Sequence, residues 1–159
     1  MKIKTNINGC FIFMFKKNID LRGYFHRIYQ YKKIKIKQIS VSSNKKKNTF
    51  RGMHYQKGKF SENKFLKCIS GEINDIVIDI RKNSKTYLNK FSVKLKQDDN
   101  KVVFIPKGCL HGFMTLKENS KILYLIDQNY SKTFSSGYNY RSEKFKIKLN
   151  PNIISDKDK

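Results

Sequence analysis

Ile73-Asn-Asp-Ile-Val-Ile-Asp-Ile80 is a β-branched, almost continuously apolar run, and it decides the fold class. Isoleucine and valine are stiff at the first side-chain torsion and pack well on a pleated surface. A run of that kind between Ser70-Gly71 and Lys82-Asn83-Ser84 reads as a strand covered on both faces. Ile122 to Ile126 reads the same way. Further out, Phe91-Ser-Val-Lys-Leu-Lys96 and Phe145-Lys-Ile-Lys-Leu149 alternate apolar and polar residues, as strands with one wet face require. Turn chemistry at Gln97-Asp98-Asp99-Asn100, Pro106-Lys107-Gly108 and Ser136-Gly137 separates these runs, and the polar stretch Ser42 to Asn48 reads as an exposed loop. No amphipathic helix longer than three turns is evident. Many short strands with turns every ~8–12 residues predict an all-β sandwich or barrel.

The chain has 159 residues and 18.9 kDa, which predicts one domain over residues 1–159. Such a chain buries roughly 68–70% of its unfolded surface without needing disulfide staples. Eight Gly and two Pro are too few to mark a linker. The net charge is +23, yet only five of the 35 cations are Arg, and Lys runs from Lys2 to Lys159. A nucleic-acid binder concentrates its charge in an arm or stripe rich in Arg. With no Ala or Trp and abundant Asn, Ile, Phe and Tyr, the charge reads as composition bias with solvated lysines. No nucleic-acid partner is expected, although such a field draws in phosphorylated ligands. The three cysteines, Cys10, Cys68 and Cys109, are odd in number and far apart, which suits a reducing cytoplasm. The apolar run Cys10 to Phe15 is shorter than a signal-peptide core, and no segment approaches the ~20 apolar residues of a membrane span.

Two of the three histidines stand beside glycine at the ends of apolar runs, in Arg51-Gly52-Met53-His54-Tyr55-Gln56 and Gly108-Cys109-Leu110-His111-Gly112-Phe113. A lone histidine in a sheet is ordinarily a satisfied structural side chain. A metal site would ask for a second ligand at H-x-H spacing, and that position is Gln56. No metal is expected.

The strings R-G-M-H-Y-Q, E-N-K-F-L-K-C-I-S-G-E-I-N-D-I-V-I-D-I-R-K-N-S-K-T, I-P-K-G-C-L-H-G-F, L-Y-L-I-D-Q-N-Y-S and I-S-D-K-D occur in this order. In that order they resemble the successive blocks of the dTDP-4-dehydrorhamnose 3,5-epimerase family, from Arg22-Gly23-Tyr24-Phe25 to Asp158. The resemblance implies a cupin-like jelly roll, a homodimer, no metal and no cofactor. It also implies a nucleotide-sugar substrate, dTDP-4-dehydro-6-deoxy-D-glucose, inverted at carbons 3 and 5.

Both of those carbons flank a ketone, so loss of their hydrogen gives an enolate whose charge must be held before a proton returns from the opposite face. That needs a base, a cation for the oxyanion and an acid. His54 matches the family's base, and imidazole, with an ordinary pKa near ~6.5, suits proton abstraction near neutrality. The resemblance orients it with Asp158, and Asp75 is a second candidate for that role. Lys64 matches the lysine at the enolate oxygen, and Tyr124 the acid on the other face. For substrate, Arg22, Arg51 and Lys157 match cationic positions near the diphosphate and sugar. Gln38 and Ser40 fall on a Q-x-N pair, His111 lines the sugar pocket, and Tyr130 stacks on the base. Without the resemblance Lys64 reads as one of 30 solvated lysines and Tyr124 as a core aromatic. Asp158 stands in a terminal segment of the kind that frays unless tied down.

The departures from the pattern cluster around the nucleotide. Arg27 stands where the family has Glu, Ser40 replaces Asn, Lys132 replaces Pro, and Ser135 takes a Glu position. These changes favour, as an alternative, a relative that inverts one carbon or uses another nucleotide sugar. A non-catalytic nucleotide-sugar-binding cupin is the further alternative.

Overall fold

The computed structural model describes residues 1–30 and 33–158. Its strands are β1 Lys2–Lys4, β2 Phe11–Met14, β3 Lys17–Asp20, β4 Gly23–His26, β5 Gln38–Asn44, β6 Phe50–Gln56, β7 Lys64–Ser70, β8 Glu72–Asp79, β9 Lys90–Lys96, β10 Lys101–Ile105, β11 Cys109–Thr115, β12 Ser120–Ile126 and β13 Ser135–Gly137. They form a six-stranded sheet in the order β1-β2-β10-β7-β12-β5, a five-stranded sheet in the order β13-β6-β11-β8-β9, and the separate hairpin β3-β4. All the pairings are antiparallel. The architecture is the all-β, cupin-like jelly roll that the sequence predicts.

The two large sheets share one apolar filling. Leu66, Cys68, Val103, Ile105 and Ile122 from the six-stranded sheet meet Ile73, Val77, Leu95, Cys109 and Phe113 from the five-stranded sheet. Ile73–Ile80 becomes β8, a central strand flanked by β11 and β9, and its residues from Asp75 to Asp79 are all buried. The outer face of the five-stranded sheet is covered by a second cluster in which Phe50, Met53, Ile76, Ile78 and Leu110 meet Tyr140 and Phe145.

Three local expectations need correction. Phe145–Leu149 is not a strand: its alternate residues Phe145, Ile147 and Leu149 do pack inward, but Lys146 has a φ of 46°, which breaks the extended backbone. Ser42–Asn44 belongs to β5, so the exposed loop is confined to residues 45–48. Ser136-Gly137 is not a turn but part of β13, laid along β6 opposite Tyr55 and His54. Gly137 is there for space, since a Cβ would sit 2.6 Å from the Met53 carbonyl oxygen.

Two buried charged residues outside the cavities have structural partners. Lys67 on β7 is 2% exposed and gives its ammonium hydrogens to the carbonyls of Lys96, Gln97 and Asp99, fastening the β9–β10 turn. Asp79, at the end of β8, accepts from the Arg81 guanidinium and from the hydroxyls of Ser84 and Thr86. Burial works against its charged form, yet those hydrogen bonds outweigh it and hold the carboxyl well below the usual carboxylate range.

Candidate active site

The site begins with a close crossing of two backbones. Gly52 on β6 has a φ of 141°, and a Cβ there would lie 2.5 Å from the Gly112 Cα on β11. A Cβ on Gly112 would in turn meet Met53 Sδ at 2.7 Å and the Arg51 carbonyl oxygen at 3.0 Å. Only glycine at both positions allows this approach. Next to it the ladder slips register between His111 and Phe113, and His54 stands directly opposite His111. Cross-strand partners project from the same face of a sheet. Both imidazoles line one cavity as a result.

Each ring has its own carboxylate. His54 Nε2 lies 2.7 Å from Asp158 Oδ1, with the Asp158 side chain 2% exposed. His111 Nε2 lies 2.6 Å from Asp75 Oδ1, both side chains buried. Asp75 is therefore the partner of His111 and not the second partner for His54 that the sequence suggested; it stands opposite Phe113 on the neighbouring strand β11, two residues along from the His111–Val77 pair. The other Asp75 oxygen, Oδ2, is buried with no hydrogen-bond partner among the described residues. The terminal segment is tied down up to Asp158. Ile153 bridges Thr49, the Asn152 and Ile153 amides donate to the Asn48 carbonyl, and a 3₁₀ turn over Asp156–Asp158 delivers the carboxylate to His54.

The six-stranded sheet supplies the facing wall. Tyr124 on β12 pairs with Ser40 on β5, and Ile126 pairs with both Gln38 on β5 and Lys64 on β7. The Tyr124 ring meets the His111 ring edge-on, with centroids 6.0 Å apart. Burial first, then the Asp75 charge, pushes the Tyr124 phenol well above its ordinary value against the pull of Arg51, so it stays protonated at neutral pH. Gln38 donates to Ser40 Oγ at 2.8 Å. Arg51 is held by Asn44 Oδ1 at 2.7 Å, and Asn44 is itself buried and tied to the Ser120 carbonyl.

These walls enclose two adjoining cavities of about 660 and 250 Å³. His54, Lys64, Ile126, Lys157 and Asp158 line both. The inner one adds Ser40, Arg51, His111 and Tyr124, and the outer one adds Gln38, Tyr130, Lys132 and Ser135. Every residue the sequence nominated lines these cavities except Arg22 and Asp75, the latter lying behind His111. The Arg22 side chain stands at the tip of the β3-β4 hairpin, 89% exposed and paired with Asp20 at 2.6 Å, because a two-residue turn projects it away from both sheets. Arg27, also outside the cavities, faces Gln30. Sequence reasoning missed Glu62, which contacts Lys64 at 2.8 Å with both side chains nearly buried. Its signal was an acid two residues before the lysine, the spacing that puts two extended side chains on one face.

Comparison with known proteins extends these findings. A family model described as dTDP-4-dehydrorhamnose 3,5-epimerase matches residues 4–159. The enzyme of that name from Shigella flexneri is 32% identical over 166 residues, covering 98% of this chain and 91% of its own. The crystal structure of dTDP-4-dehydrorhamnose 3,5-epimerase from Bacillus anthracis, with TDP and PPi bound, superposes with a TM-score of 0.94 at 30% identity, covering 99% of this chain and 95% of its own. The Legionella pneumophila dTDP-6-deoxy-D-glucose-3,5-epimerase, in complex with dTDP-4-keto-L-rhamnose, gives a TM-score of 0.91 at 27% identity over 99% of this chain and 89% of its own. The matched span takes in both cavity walls and the segment that delivers Asp158, and the chain belongs to the dTDP-4-dehydrorhamnose 3,5-epimerase family.

Proposed function

We propose that this chain inverts carbons 3 and 5 of dTDP-4-dehydro-6-deoxy-D-glucose, removing a proton beside the carbon 4 ketone and returning one from the other side. The observation that supports this is the division of proton-handling groups between facing sheets: His54 on β6, Tyr124 on β12, and Lys64 lining both cavities. With Nε2–H donated to Asp158, His54 keeps its Nδ1 lone pair for a carbon-bound proton, and the resulting imidazolium is stabilised by the carboxylate. The electron pair left on carbon moves to the carbon 4 oxygen, where the Lys64 ammonium stabilises the charge. Tyr124 then gives its proton to the carbon from the opposite face. One C–H bond breaks and one forms; His54 passes its proton to solvent and the phenolate takes one back, so solvent hydrogen ends in the product.

For binding, Arg51 and Lys157 suit the diphosphate and sugar oxygens, with the additional cation Lys132 at the mouth. Tyr130, 64% exposed at that mouth, offers its face to the base. Gln38, Ser40 and His111 address sugar oxygens. A homodimer is supported by apolar side chains left uncovered: Ile19, Leu21, Tyr24 and Phe25 on the β3-β4 hairpin, and Ile39 and Val41 on the edge strand β5. On that reading a second copy is the route by which Arg22 would reach a cavity, since within one chain it lies outside both. Residence in the cytoplasm is supported by the unpaired, buried thiols of Cys10, Cys68 and Cys109.

Ser135 and Lys132 at the mouth favour a second reading, inversion at one carbon or a different nucleotide. Proton NMR in D₂O with dTDP-4-dehydro-6-deoxy-D-glucose separates them. Signal loss at carbons 3 and 5 with His54→Ala inert is the expected result; loss at one carbon supports the second reading, and loss at neither, with folded protein, rejects both for this substrate.

A further inference from the structure

Glu62 spends both carboxylate oxygens on the site. Oε1 contacts Lys64 Nζ at 2.8 Å, and Oε2 accepts from Gln56 Nε2 at 2.7 Å. Gln56, 3% exposed at the end of β6, is fully engaged on its other sides. Its NH2 shares two hydrogens among Glu62 and the carbonyls of Phe60 and Asn129, and its Oε1 takes the Ser131 amide at 2.6 Å. Gln56 therefore grips the backbone immediately before and after Tyr130, while Glu62 joins that grip to Lys64. The ammonium has three donors, and Glu62 is its one protein partner among the described residues, which leaves two available to a ligand in the cavities it lines. Without that carboxylate, a side chain with four rotatable bonds near Arg51 and Lys157 has nothing to fix it and two cations in the same cavities to avoid.

We infer that Glu62 is a positioning residue that fixes the Lys64 ammonium for the enolate oxygen and, through Gln56, ties it to the segment carrying the base-stacking Tyr130. This rests on the reading of Lys64 given above. In this scheme the carboxylate acts on the reaction by holding Lys64, while its second oxygen stays on Gln56. A misplacement of about 1 Å in a catalytic group costs on the order of 100-fold in rate, so loss of the Lys64 contact is felt in turnover.

The test is a double-mutant cycle on the full chain, reading kcat for solvent-deuterium incorporation and the affinity for dTDP. Glu62→Gln is expected to lower kcat roughly 10- to 100-fold and to leave dTDP affinity within about twofold, because the amide oxygen can still accept from Gln56. In a Lys64→Met background the same Glu62→Gln change is expected to have no further effect on kcat, a non-additivity that a merely structural role does not give. Gln56→Ala is expected to weaken dTDP binding instead, since it releases Asn129 and Ser131. Wild-type exchange with Glu62→Gln equal to it, or effects that simply add in the double variant, overturns the inference alone. Absence of exchange in the wild type overturns the epimerase reading and the inference together.

Discussion

His54 and His111 are chemically alike, stand opposite each other and each hold a carboxylate, yet their surroundings give them different work. The His54 side chain is 39% exposed and the His111 side chain 6%. With His54 as the proposed base, a proton it takes can leave for solvent, whereas His111 and Asp75 form a closed pair beside Tyr124. His54→Ala is expected to lower deuterium incorporation roughly 10²- to 10⁴-fold, and Asp158→Asn to lower it by about 10²-fold or more through loss of the tautomer and of the imidazolium's partner. Tyr124→Phe is expected to behave differently. The base survives, so recovered substrate gains deuterium with its configuration retained while inverted product falls, which NMR of both species checks. At this scale the sequence was most readable where a residue sat in a string of distinctive neighbours, as His54, Lys64 and Tyr124 do. Asn44 and the true partner of Asp75 were not legible, because each is defined by a side chain brought next to it from another strand. Glu62 carried a signal in its spacing to Lys64, but its link to Gln56 on β6 was not legible.

β8, β9 and β12 were legible as strands from their side-chain pattern. β8 and β12 read as buried runs because each lies between two others, and β9 read as alternating because one face is wet. Phe145–Leu149 shows the limit of periodicity: alternation reports which side chains face the core, not whether the backbone has a partner. The crossing of β6 and β11 leads to a prediction at this scale. Gly112→Ala places a Cβ against Met53 Sδ and the Arg51 carbonyl, so the strands must separate. It is expected to cost about 1–3 kcal/mol of stability and more activity than its loss of folded protein explains, measured as residual exchange per folded molecule. A second prediction concerns the end of β8. Asp79→Asn removes the anion from beneath Arg81 and is expected to cost about 3 kcal/mol, or roughly 10 °C in Tm. Because the folded carboxyl sits below its unfolded value, that stabilisation is full above pH ~4 and fades only as pH falls through the folded value. The gap between wild type and variant in pH-resolved melting is expected to be flat from pH 7 to about pH 4 and to narrow in stronger acid.

For the whole molecule, the net charge of +23 and the apolar surface make opposite demands. Like charge keeps copies apart, yet Leu21 is fully exposed and Ile19 is 78% exposed on a hairpin held by its own two strands. Those residues have no reason to be apolar in a solitary chain. Leu21→Asp combined with Ile19→Asp is expected to give a monomer by light scattering and to weaken dTDP affinity at least tenfold, a loss matched by Arg22→Ala in an intact dimer. An unchanged mass for the wild type, equal to one chain, would remove the argument.

The placement of the proposed acid and base, Tyr124 and His54, on separate sheets has a consequence for how such a catalyst drifts. On that reading the distance across which the sugar ring is worked is set not by either residue but by the filling between the sheets, chiefly Val77, Leu66, Ile122 and Phe113. Under the proposed mechanism, handedness in the product then depends on the thickness of the sandwich. A population of variants that slowly exchanges large interior residues for small ones would keep its strands, its histidine and its tyrosine, and would first betray itself as a chemist of failing stereochemical fidelity.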